Sequence, residues 1–526
     1  MMKANGQSEI TVTSPAKESL PALALAALLG LAGAKLLIHL LLANRYGYFR
    51  DELYFLDCGR HLDWGYVDHA PLIGLVAKAA LLLGGSLPAL RIFPAVAGAV
   101  LVALTILLAR ELGGGRSAQF LAGLAVLVVP IYLGIDSILS MNAFEPLFWM
   151  GAVYVLIRII RTGSSHLWIA FGALVGMGVE NKHSTIFFGL AVAVAVLATP
   201  LRRELCKPWI YLGAVVALLL FLPNLIWQAQ HGFPTLEDLR NVKETGKNVV
   251  LDPVAFLVQQ VLMMHPVLLP VWLSGLWFFL AGRGKAYRAP GWIYLALLAT
   301  FLALNGKFYY LAPAYPILLA GGAVAIEGWL GESAATLGRF RPKAAIAGII
   351  AASGILFAPM MLPVLPPERY VAYQKVLGMQ PGKTEVEHVG PLPQLFGDQF
   401  GWPELVAEVA RIYNALPAEE QAKACIFAGN YGEAGAINQF GPRYGLPTAI
   451  SGHQTHFFWG PRGCTGDVLI VLQRSREGLE RVCTSVEEAG RHEHPWGMAE
   501  ENGPIHICRG LKTPLSEMWP QVKHWN

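Results

Sequence analysis

NRYGYFRDELYFLDCGRHLDWGYVDHAP, residues 44–71, is richer in acidic, histidine and aromatic residues than any other part of the apolar region that surrounds it. It falls between two long apolar runs, 21–43 and 87–112. A helix that crosses the hydrocarbon core needs about 20 apolar residues, fewer if it packs inside a bundle. Further windows of that kind follow at 118–135, 143–160, 167–179, 185–198, 208–227, 253–280, 291–304, 309–330 and 344–365. The reading is a polytopic helical membrane protein with about eleven crossings, in which 44–71 is a loop at one membrane face. The windows on either side of residues 181–183 are short enough to form a re-entrant pair instead.

Composition agrees with a bilayer as solvent. The chain of 526 residues is 54% hydrophobic and only 14% charged, with mean hydropathy +0.46, which would leave a water-soluble protein with far too much apolar surface. Net charge is near balance at +4, and no long basic run suggests a nucleic-acid partner.

Orientation is read from where Lys and Arg collect, since short cytoplasmic loops carry the excess. A polar start with Lys3 and Lys17 and no small-residue cleavage pattern reads as an uncleaved first span with the N-terminus inside. Every second loop then carries bases: Arg110 and Arg116; Arg158 and Arg161; Arg202, Arg203 and Lys207; Arg283, Lys285 and Arg288; Arg339, Arg341 and Lys343. An odd number of crossings leaves residues 1–365 as the membrane domain and 366–526 as an extracytoplasmic domain.

That tail reads as a small α/β domain. Residues 423–428 and 467–472 look like buried strands, and 402–416 has helical spacing, with Leu405, Val406, Val409, Ile412 and Tyr413 on one face. Four of the six cysteines, Cys425, Cys464, Cys483 and Cys508, fall here. Outside the cytosol they would allow one or two disulfides, with buried free thiols the alternative.

In the loop 44–71 the run Asp51 to His61 predicts a surface helix anchored by Tyr48, Trp64 and Tyr66, with Asp51 and Glu52 at its start. Acids there can simply cap a helix. The functional reading rests on convergence: Asp51, Glu52, Asp68, His69 and Asp136 gather at one face, whereas Asp57 and Asp63 read as solvated charges. Lys182, His183, His231 and Lys307 add cations or imidazoles at the same face. Tyr309 and Tyr310 fit an aromatic belt or a sugar-stacking role. Glu145 and Glu180 lie in or near the membrane, where an acid is expensive enough to suggest function.

A carboxylate can activate a hydroxyl as general base, while cations stabilise a departing phosphate. Transfer of a sugar from a polyprenyl phosphate needs that pairing. A divalent metal through Asp51, Glu52 or His69 is compatible with the residues, but no spacing demands one and no cofactor is assigned.

FRDELYFLDCGRHLDWGYVDHAPL, NKHSTIFFGLAVAV, FLPNLIWQAQHGFPTLEDLRN and NGKFYYLAPAYP together resemble bacterial members of glycosyltransferase family 39. This group is related to protein O-mannosyltransferases and to the aminoarabinose transferase that modifies lipid A. The resemblance implies the GT-C fold, a polyprenyl-phosphate sugar donor, an extracytoplasmic active site in a bacterial plasma membrane, and inversion at the anomeric carbon. It implies catalytic roles for Asp51, with Glu52 beside it, and for Asp136. It also implies substrate-binding roles for Asp68, His69, Lys307 and Tyr310, to which Lys182 and His183 are added as substrate-binding candidates by their place at the same face. Ala70 departs from the double proline that closes this loop in the family. The tail, through FGDQFGW, NYGEAGAINQFGP and FFWGP, looks like that of a subset of these proteins; the resemblance assigns it no role, and Glu433, His453 and His456 are candidate acceptor contacts, with folding of the domain the alternative. Residues alone leave two rivals: a secondary transporter or lipid flippase, and a non-catalytic membrane sensor, for which Asp51 would be dispensable.

Overall fold

The computed structural model describes residues 19–332, 341–386 and 388–526. Lys3, Lys17 and Arg339, which enter the orientation argument, lie outside the described residues. Helix α1 (Leu25–Leu42) shows what kind of protein this is: it buries Lys35 and His39, while Leu29 and Leu41 are 62% and 71% exposed. A helix with polar residues inside and leucines outside is at home only where the surroundings are apolar. Among the described residues six helices are long and apolar enough to cross a membrane, or eight if each of two bent pairs is one span.

The elements in order are α2 (Arg50–Arg60), α3 (Leu72–Leu82), α4 (Leu87–Glu111), α5 (Arg116–Val128), α6 (Pro130–Ile135), α7 (Met141–Thr162), α8 (Trp168–Asn181), α9 (Thr185–Ala198) and α10 (Pro208–Gln230). There follow α11 (Pro234–Thr245), α12 (Pro253–Met263), α13 (Leu269–Leu280), α14 (Ala289–Ala303), α15 (Tyr315–Glu332) and α16 (Arg341–Phe357). Each apolar window carries a helix, with 118–135 divided between α5 and α6 at Val129, and with two further differences. Window 253–280 is broken: α12 and the segment after it bend by 92°, at His265, whose φ is 75°, ahead of Pro266. The short apolar helix α3 fills a stretch that periodicity had left unassigned.

The outer part holds α17 (Trp402–Ala415), α18 (Tyr431–Phe440) and a four-stranded sheet in the order β1-β2-β4-β3. Here β1 is Ala424–Phe427, β2 Val468–Leu472, β3 Cys483–His492 and β4 Gly503–Leu511. β1 runs parallel to β2, and the other pairings are antiparallel. The central strand β2, VLIVL, is buried along its whole length, as an unbroken apolar run in a sheet covered on both faces should be. Leu405, Val406, Val409 and Ile412 of α17 pack on Ile426, Ile470 and Ile507.

Leu53 of α2 belongs to this same outer core, whereas Phe55 and Leu56 pack with Ile73, Ala77 and Leu90 on the membrane side. Helix α2 is therefore not a free surface helix but the middle layer between α3 and α18. Two glycines permit it: a Cβ on Gly435 would lie 2.7 Å from the Leu53 carbonyl carbon, and one on Gly59 would lie 2.8 Å from the Lys78 nitrogen. Burial changes two expectations. Asp57 is not a solvated charge: it is fully buried and binds Arg60 and Asn438. Tyr66 is not an interfacial anchor: it is buried, with its hydroxyl donating to the Cys58 carbonyl.

The tail cysteines pair as Cys425–Cys464 and Cys483–Cys508, leaving Cys58 buried and Cys206 exposed. Iodoacetamide on the folded protein should therefore add to Cys206 alone, and after denaturation to Cys58 as well. All cysteines should react only after reduction, as read by peptide mass spectrometry.

Candidate active site

Glu52, the third residue of α2, is fully buried and ion-paired with Arg91 of α4 at 2.9 Å. Its Oε2 also accepts from the Phe49 amide at 2.8 Å and its Oε1 from the Leu139 amide at 2.8 Å. With both oxygens occupied by donors of the protein, it ties α2 to α4 and to the segment at Leu139. Asp136 is likewise held by the protein: it is 1% exposed, paired with Lys35 of α1 at 2.8 Å, and so lies inside the helix bundle. A buried charge without such a partner would cost several kcal/mol.

Asp51 faces the other way. Its Oδ1 accepts from the Tyr431 hydroxyl at 2.8 Å, so the outer part reaches the leading candidate carboxylate directly. Tyr431 opens α18, which Asn430 caps by accepting from the Glu433 amide. Its ring stacks on Tyr54 at 4.8 Å and on His453 at 4.8 Å, with the Arg50 guanidinium 5.5 Å from its centroid. Arg50 binds Glu385 at 3.1 Å and approaches Glu500 at 3.9 Å. Burial opposes ionisation of Glu385, yet Arg50, Lys247 and Lys307 together hold it down to about 2. Nearby Asp398 is buried without a hydrogen-bonding partner, and burial pushes its carboxyl well up despite Arg50.

Asp68 stands within electrostatic reach of Asp51 and accepts from the Tyr54 hydroxyl at 2.8 Å. Thr455 of the outer part lies 2.6 Å from the same hydroxyl and accepts from the Val67 amide. Burial, augmented by Asp51, pushes Asp68 up to about 7. His69 is buried against Tyr66, its Nδ1 at the Ala70 carbonyl and its Nε2 3.7 Å from the Cys58 sulfur. Burial lowers it to about 4. It is thus packed as a neutral imidazole.

Lys182, at the end of α8, donates to Asn142 and Glu145 and sits 4.6 Å over Tyr310 and 5.6 Å over Tyr309. Lys307 lies 5.9 Å from the Tyr309 centroid, and Tyr309 is itself within electrostatic reach of Asp51. The two lysines and two tyrosines form one cluster beside the carboxylates. His183 is spent on Asn224 at 3.0 Å. Glu433 and His456 are buried inside the outer part, with His456 3.5 Å from Asp57. Among the described residues no three His, Cys, Asp or Glu converge to hold a metal ion. Sequence reading missed Arg50, Tyr431 and Asp398; the last two stand in the tail motifs NYGEAG and FGDQFGW, whose partners in space no periodicity announces.

Residues 68–227 match the family model described as dolichyl-phosphate-mannose-protein mannosyltransferase. The match includes Asp68, Asp136, Lys182 and His183 but ends short of Asp51 and Lys307. Lipid A galacturonosyltransferase RgtD of Rhizobium johnstonii is 25% identical over 276 residues, 50% of this chain and 56% of that protein, so the likeness spans only about half of the relative. Crystal structures of ArnT from Cupriavidus metallidurans share the fold. The undecaprenyl-phosphate-bound form has a TM-score of 0.60 at 14% identity, covering 91% of this chain and 97% of that one. The apo form has a TM-score of 0.60 at 15% identity, covering 92% and 98%.

Two substitutions separate anchor from site. Arg91→Leu strands Glu52 and should cost about 3–5 kcal/mol of stability, seen as a lower Tm in detergent. Tyr431→Phe removes one hydrogen bond to a carboxylate, worth about 1.5–3 kcal/mol, and should lower kcat about tenfold or more while the Tm falls far less.

Proposed function

We propose, on the premise that the chain belongs to the bacterial glycosyltransferase family 39 group of GT-C proteins, that it transfers a sugar from a polyprenyl-phosphate donor to an envelope acceptor outside the cytoplasm. The observation that carries this reading is one carboxylate, Asp51, poised beside a cluster of Lys182, Lys307, Tyr309 and Tyr310 at the end of membrane helices. Asp51 takes the proton from the acceptor hydroxyl as that oxygen attacks the anomeric carbon. The bond from that carbon to the phosphate oxygen breaks, and the lysines receive the charge on the polyprenyl phosphate. Tyr309 and Tyr310 support the lysines by cation–π contact.

The proposed topology places the N-terminus in the cytoplasm, about eleven crossings in the plasma membrane, and residues 366–526 outside. Two disulfides in the tail favour an oxidising compartment. Transporter and flippase readings are disfavoured because Asp51 is in the outer loop, whereas the intramembrane Asp136 and Glu145 are paired with Lys35 and Lys182.

The test follows transfer from labelled polyprenyl-phosphate sugars to extracted envelope material by the reconstituted protein. Asp51→Asn of equal Tm should lose about 10²- to 10⁴-fold in rate; equal rates would remove Asp51 from catalysis, and no transfer from any donor would favour transport. The same assay reads Asp68. Its carboxyl is neutral below about 7 and anionic above, so an ionised Asp68 repels the donor phosphate. The donor KM should rise from pH 6 to pH 8 in wild type and stay flat in Asp68→Asn.

A further inference from the structure

Tyr431, whose hydroxyl holds Asp51, is the second ring in a stack of four. Tyr54 and His453 lie on either side of it, each at 4.8 Å between centroids, and His524 lies 4.8 Å beyond His453. The planes of successive rings differ by 29°, 22° and 25°, so each meets the next face to face. The two tyrosines serve the two carboxylates of the cleft: Tyr431 donates to Asp51 and Tyr54 to Asp68. The spacing of those hydroxyls therefore follows from how the rings are laid together.

One short loop of the outer part, 450–455, lays them together. It is tied to β1, where the Ile450 amide donates to the Ile426 carbonyl and the Ile450 carbonyl accepts from the Ala428 amide. It is tied again where the Gly452 carbonyl accepts from the His524 amide and the Gln454 amide donates to the His524 carbonyl. Gln454 is held in the left-handed region at φ 48°, a costly conformation for a residue with a side chain, between the two residues that touch the tyrosines. Thr455 lies 2.6 Å from the Tyr54 hydroxyl, and His453 Nδ1 accepts from the Tyr431 amide at 3.2 Å. Tyr431 is the first residue of α18, so its amide has no partner inside the helix, and the imidazole supplies one. Nδ1 can accept only with its lone pair free, which makes His453 neutral with its proton on Nε2. Burial, reinforced by His524 and Lys247, holds it well below the ordinary histidine range. His453 thus grips Tyr431 by its face and by its amide at once.

We propose that His453 is a positioning residue of the transfer site, which acts through Tyr431 to set the hydrogen bond that orients Asp51 and takes no part in holding the acceptor. The proposal rests on Asp51 as the base of the proposed transfer, but the state of Tyr431 is measured without any transfer. The experiment is NMR on the full chain in lipid nanodiscs, isotope-labelled at tyrosine Cζ. The Tyr431 resonance is identified by its loss in Tyr431→Phe, and its bond to Asp51 by its shift in Asp51→Asn. In His453→Ala, and in His453→Phe, which keeps a ring but no acceptor, that resonance should move toward its Asp51→Asn position while the tyrosines of the membrane helices keep theirs. In the transfer assay His453→Ala should lower kcat about fivefold or more with the acceptor KM unchanged, and should add nothing in a Tyr431→Phe background. A Tyr431 resonance that stays in place in both His453 variants, or in Asp51→Asn, would overturn the proposal. So would a raised acceptor KM at unchanged kcat, which would make His453 an acceptor contact. A resonance that moves as expected in a protein with no transfer from any donor would sink the transfer reading alone and leave His453 as the support of Tyr431.

Discussion

The geometry depends on Arg91. Its guanidinium donates to the Ala43 and Gly47 carbonyls, to both oxygens of Glu52 and to Gln399, tying the exit of α1, the start of α2 and the outer part to α4. At the edge of a hydrocarbon layer a cation stays only if its donors are met by protein, and a rigid fork of five N–H groups allows this where an ammonium would not. Because Glu52 is pinned inward, Asp51, about 100° around the helix, is turned out toward the cleft. Two adjacent acids thus acquire opposite fates from one ion pair.

The membrane helices were legible because hydropathy is a local property, and α1 shows why: every residue facing lipid must be apolar, whatever lies on the other side of the bundle. Loop 44–71 was legible for the complementary reason, since so many charges next to membrane spans have to be outside the hydrocarbon. The sequence could not divide its carboxylates into paired and unpaired ones. Asp136 meets Lys35 from a helix 101 positions earlier by numbering, and nothing local distinguishes it from Asp68. Asp57 was misplaced because its burial comes from a layer contributed by the tail, and Tyr66 because its ring folds back on Cys58, His69 and Gly74. In the tail itself strands and helix followed from apolar runs and spacing, but Tyr431 looks like any residue after a capping Asn until α18 is laid against α2.

The outer part is not an appendage. Leu53 sits in its core, Thr455 closes on Tyr54, Asn438 binds Asp57 and Tyr431 reaches Asp51. A loop of the membrane part has become the floor of the outer core, and the cleft exists only where the two meet.

The hydrogen bond from Tyr431 to Asp51 spans 380 positions of sequence, which sets an order of events during biosynthesis. The loop bearing Asp51 is made early, while α18 can be laid against it only after some 380 further positions have been synthesised. Until then the nascent protein holds Asp51 without the hydroxyl that it meets in the finished fold, so a chain halted partway through synthesis would carry that carboxylate unpartnered by Tyr431.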